Sequence, residues 1–105
     1  MSSVENRGEI FRAKINLETS KIAWKELQRF FAGGKALLVS ADLDLVEVAF
    51  QMSEDNVEQI RQWAAAGKLA RVPDESAREW AETDALVWAV VVSPWVLVQP
   101  LDRLH

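Results

Sequence analysis

LVWAVVVSPWVLVQ, from Leu86 to Gln99, is the stretch whose reading decides the fold. Nearly every side chain in it is apolar, and β-branched or aromatic residues dominate. A strand with one wet face alternates apolar with polar residues, whereas Val87, Trp88, Ala89, Val90, Val91 and Val92 leave no polar face. The run therefore reads as a strand buried on both sides, which the rest of the chain has to cover. Pro94 cuts it. A two-residue hairpin on Ser93-Pro94 is disfavoured, because proline suits the third turn position only when its bond is cis. A kink, a bulge or a slightly longer turn is expected instead, with Trp95 to Gln99 as a further extended segment.

Working outward, four helical patterns and two short apolar runs precede this stretch, together with one ambiguous segment. From Glu9, Ile10, Ala13 and Leu17 share one helix face, and Thr19-Ser20 reads as a break and N-cap. A second helix then carries Ala23, Leu27, Phe30 and Phe31, with Trp24 beside them, until Gly33-Gly34 stops it. Lys35 to Ser40 reads as the first strand. Leu45 to Met52 fits either an alternating strand or a helix face. Helix is preferred, because Asp42 and Asp44 are good N-terminal residues and Glu47 sits where a carboxylate favours the dipole. Ser53-Glu54-Asp55 repeats the start signal for a helix bearing Val57, Ile60, Trp63 and Ala64, which Gly67 ends. Lys68 to Val72 is the second strand, closed by Pro73. Asp74 caps a helix through Glu82, with Ala77, Trp80 and Ala81 inward. The expected fold is α+β: a small mixed sheet of three to four strands packed with about five helices. The 105 residues suffice for one domain and not for two cores, with residues 1–8 and 100–105 as loose tails.

Composition narrows the chemistry. The chain has no cysteine and one histidine, the terminal His105, so thiol chemistry, serine–histidine catalysis and histidine metal sites fall away. Tyrosine is also absent. The polar N-terminus shows neither signal nor transit peptide and no apolar run approaches a membrane span, which makes a cytoplasmic location the expectation. A net charge of −4 argues against nucleic acid or an anionic membrane as partner. The charge is uneven: residues 1–35 hold seven basic and four acidic residues, the remainder five basic and twelve acidic. A basic N-terminal arm either packs on its own acidic body or reaches a second subunit or an acidic partner.

Asp42, Asp44 and Glu47 form the best carboxylate cluster, after a strand end where oxygen ligands could hold Mg²⁺ and a substrate phosphate. Helix capping explains the same residues, and Glu54-Asp55 and Asp74-Glu75 recur in the same setting. Gly33-Gly34-Lys35 and Gly67-Lys68 lack the first glycine and the Ser/Thr of a phosphate loop, and each follows a helix, so both are helix ends. No cofactor is called for. Five tryptophans, Trp24, Trp63, Trp80, Trp88 and Trp95, are many for this length. They serve as core, as an interface or as a pocket wall, and Trp24, Trp88 and Trp95 are the interface or ligand candidates. Trp95 stands out, because the proline before it bends the chain where a side chain can leave the core.

The strings NLETSKIAWKELQRFFAGG (Asn16 to Gly34), LDLVEVA (Leu43 to Ala49), Asp55-Asn56 and above all VWAVVVSPWVLVQ (Val87 to Gln99) resemble a small bacterial family, domain of unknown function 2288. The resemblance runs from about Ile10 to Gln99. It implies a stand-alone bacterial protein without an assigned activity and carries over no catalytic or binding residue. The residues themselves favour a non-enzymatic protein that self-associates, a homodimer with room for a second protein partner. The alternative is a small-molecule binder or Mg²⁺-dependent enzyme with a tryptophan-lined pocket.

Overall fold

The computed structural model describes residues 3–101, with side chains from residue 8 onward. In chain order the elements are α1 (Ser3–Glu18), β1 (Ser20–Ala23), a 3-10 turn (Trp24–Leu27), α2 (Gln28–Ala32) and β2 (Ala36–Val39). There follow α3 (Leu45–Ser53), α4 (Val57–Ala65), β3 (Leu69–Arg71), α5 (Asp74–Glu82), β4 (Leu86–Val92) and β5 (Trp95–Pro100). One mixed sheet takes all five strands in the order β1-β4-β5-β2-β3. β5 runs parallel to β2, and the other pairings are antiparallel.

The α+β class stands, but the sheet has five strands where three to four were expected. The extra one is β1, in residues assigned to the start of the second helix. Ser20 pairs with Ala89 and Ala23 with Leu86, so these residues are drawn to the open edge of β4 before the helix begins. Their backbone polar groups join a ladder instead of a short helical turn. Thr19 ends α1 rather than capping a second helix: its hydroxyl donates to the Ile15 carbonyl at 2.8 Å. Helix α1 itself starts at Ser3, within the segment read as a loose tail, and Pro100 closes β5. Residues 1–2 and 102–105 lie outside the described residues, and His105 with them.

The hairpin is also tighter than expected. Val92 pairs directly with Trp95, leaving Ser93 and Pro94 as a two-residue turn, and the bond between them is cis. Cis proline at the third position is the one arrangement that admits it to so short a connection. The ambiguous segment is a helix, as preferred. Asp44 caps α3 by accepting from the Val46 amide at 3.0 Å, and Val48 and Ala49 are fully buried. For α4 the cap is Asn56 rather than the residues before it, accepting from the Gln59 amide at 3.3 Å. Asp74 is the first residue of α5 and makes no side-chain cap bond there. Gly34 and Gly67 have φ of 74° and 76°, the left-handed turn that ends a helix and sends the chain into β2 or β3.

Alternation along the strands divides the core between two faces of the sheet. Val87, Ala89, Val96, Val98 and Ala36 face Trp24, Leu27 and Ala77, with Phe31 and Trp80 packed against them. Val90, Leu97, Val39 and Leu69 face Leu45, Val48 and Ala49, joined by Ile15, Ile60 and Trp63. Three layers result: the 3-10 turn, α2 and α5 on one side, and α1, α3 and α4 on the other. β5 is the middle strand, with Val96, Leu97 and Val98 at zero exposure. β4 is less enclosed than its composition implies, since Leu86 is 49% and Val91 52% exposed. β1 pairs only with Leu86 to Ala89, so the far end of β4 has a neighbour on one edge alone.

Candidate functional site

The three carboxylates read as a possible Mg²⁺ site go separate ways. Asp42 accepts from Lys68 Nζ at 2.6 Å and from the Ser40 hydroxyl. The lysine, and then the serine, lower its carboxyl to a pKa of about 2. Asp44 is spent on the α3 cap. Glu47 accepts from Arg12 Nε at 2.8 Å and Gln51 Nε2 at 2.7 Å, and the guanidinium holds its carboxyl below the usual carboxylate range. Among the described residues no three His, Cys, Asp or Glu side chains gather as a metal site would require.

The tryptophans are dispersed as well. Trp24, an interface or ligand candidate by sequence, is a core residue: it meets Phe31 and Trp80 edge-to-face at 5.8 and 5.1 Å between ring centroids. Its buried indole nitrogen has no hydrogen-bond acceptor among the described residues. Trp63 and Trp80 pack against the core from either side of the sheet. Trp88 and Trp95 are half-buried, and each has a lysine over its ring: Lys21 Nζ at 5.4 Å and Lys35 Nζ at 4.8 Å. Only Trp95, at the start of β5, also lines a hollow beside the hairpin.

Helix α1 carries a feature that residue spacing does not decide, which side of it meets the body. At 3.6 residues per turn, Gly8, Arg12, Ile15 and Thr19 fall on one side, and this is the side turned inward. Arg12 ties it to α3 through Glu47 and lies 4.0 Å over the Phe50 ring, while Ile15 reaches the core. The apolar set identified by spacing occupies the opposite side. Ile10 is 64% and Leu17 84% exposed, with Ala13 open between them. Phe11 and Val91, also exposed, flank a small depression between α1 and β4.

Fold and surface together define a class: a three-layer α+β protein whose best-placed ionisable groups are engaged in structural pairs and whose outermost helix presents an apolar crest. The chain belongs to the family described as protein of unknown function (DUF2288), which matches residues 10–100. It is similar to PA1075 from Pseudomonas aeruginosa, known from an NMR solution structure. The two are 44% identical over 88% of this chain and 85% of that one, with a TM-score of 0.75. No curated protein matches the chain. Among the described residues no helix is long and apolar enough to cross a membrane.

Proposed function

We propose that this protein is a non-enzymatic interaction protein that pairs with a second copy of itself through the outward crest of α1. The observation that carries the reading is the exposure of Ile10 and Leu17, 64% and 84%, on a helix whose opposite side is docked. Their spacing with Ala13, three and then four residues, is that of a two-helix seam. Side by side and antiparallel, two such helices set Ile10 of one against Leu17 of the other, with the small Ala13 where the backbones approach. That contact is self-complementary, as a two-fold dimer requires. Electrostatics allow it. Over Ser3 to Glu18 the sequence has Arg7, Arg12 and Lys14 against Glu5, Glu9 and Glu18, so the net negative charge lies elsewhere and does not oppose this approach.

Size exclusion with light scattering tests the reading. The expected mass is twice the 11.8 kDa of the chain, falling to the single-chain value for Ile10→Glu combined with Leu17→Glu. Val57→Glu, at an exposed apolar residue on α4, should leave the doubled mass in place. A wild-type monomer, or a dimer indifferent to the α1 pair, would sink it.

A further inference from the structure

We propose that the hollow beneath the β4–β5 hairpin binds a small zwitterion with an apolar side group, as an apolar α-amino acid presents. The hollow has a volume of about 550 Å³, within the range of small-molecule sites. Leu37, Leu69, Met52, Ile60, Val92 and Trp95 line it. Met52, Ile60, Val92 and Trp95 are only half-buried, so apolar surface is open there for a ligand to cover.

The charge at the mouth selects the class of ligand. Among the described residues, Asp55 and Arg61 are the only ionisable ones lining the hollow, with the Ser93 hydroxyl as a further polar group. Asp55 stands just before the α4 cap with φ of 59°, and among the described residues its carboxylate has no ion-pair partner. Among the described residues Arg61 pairs with Glu58 alone, with Nη1 to Oε1 at 3.5 Å and both side chains 70% exposed. An ion pair that open to water is weak and readily exchanged. Asp55 and Arg61 line the same hollow, so both charges are open to one ligand there. An ammonium next to a carboxylate on one carbon answers both groups. A simple anion would meet Asp55 with repulsion, and a simple cation would meet Arg61.

Calorimetric titration of the full chain with leucine, isocaproate and isoamylamine tests this, since the last two are leucine without its ammonium and without its carboxylate. Leucine should saturate at about millimolar concentration, with amide shifts at Ile60, Val92 and Trp95, and bind about fivefold more tightly than either half. Asp55→Asn should lower leucine to the affinity of isocaproate, and Arg61→Gln to that of isoamylamine. Both positions are exposed, and an unchanged melting temperature will show that the variants fold. Failure of leucine to saturate by about 10 mM, or a half-ligand binding as tightly as leucine, overturns the proposal. The hollow shares no residue with the α1 crest, so this titration and the mass measurement judge separate readings.

Discussion

Gln99 is 3% exposed, and its side-chain nitrogen donates to the carbonyls of Ser40 and Leu43, both at 2.8 Å. One amide on the middle strand thus satisfies the turn that leads from β2 into α3. Gln99→Leu keeps the apolar character of β5 but leaves those two carbonyls short of a donor. The variant should lose about 2–3 kcal/mol of stability, read as a lower urea midpoint at unchanged slope. Asp42 gives a prediction in pH. With Lys68 and Ser40 lowering its carboxyl to about 2, the folded chain favours the charged form more than the unfolded chain does. Its contribution is complete above the unfolded value near pH 4 and fades as the pH falls from there toward 2. Asp42→Asn should therefore lose less stability than the wild type between about pH 5 and about pH 2.5, measured by urea unfolding. Equal losses would show that the Lys68 pair contributes nothing. The sequence marked Asp42 as chemically interesting but did not show its partner: Lys68 is 26 positions away and meets it only once β2 and β3 pair. Gln99 carried a signal that was passed over, a lone amide ending a run of apolar residues.

At the scale of elements, α1 is the outlier. Among residues 8–18 it joins the body through Ile15, the half-exposed Arg12–Glu47 pair and the stacking of Arg12 on Phe50. A helix held by so few buried contacts opens separately from the sheet. Ile15→Ala in the Leu17→Glu background should accelerate amide exchange across residues 8–18 by about tenfold while leaving β4 and β5 unchanged. If α1 exchanged only together with the sheet, it would belong to the same cooperative unit. The spacing of Ile10, Ala13 and Leu17 identified a helix and a shared face, and the structure turns that face outward. Apolar periodicity marks which residues share a face. It does not say whether the neighbour of that face is the same chain or another. The strand β1 was missed for a related reason: four residues, Ser20 to Ala23, have no pattern of their own, and the open edge of β4 recruits them.

For the whole molecule, the proposed pairing is apolar at its centre. The doubled mass should therefore persist when salt is raised to about 1 M, where screening acts within roughly 3 Å and surface charge pairs contribute little. Loss of the dimer in salt would return the interface to the charge asymmetry of the chain. That asymmetry is real in the sequence. In the structure, however, part of the basic arm is engaged within the chain: Arg12 pairs with Glu47 and Lys25 with Asp84, at 2.8 and 3.5 Å.

The sequence by itself determined the α+β class, the positions of α3, α4 and α5, and the burial of the stretch around Val96 to Val98. Each of these follows from local patterns: capping residues, glycine at helix ends and a β-branched run with no polar face. It also identified the family through the same stretch. Only the tertiary structure decided the fifth strand, the two-residue turn at Ser93-Pro94, the separate fates of Asp42, Asp44 and Glu47, and the outward side of α1. Those depend on which residues distant in sequence come together. Asp55 and Arg61 became neighbours of Trp95 by the same means, because chain folding brings the start of α4 beneath a hairpin formed some thirty residues later.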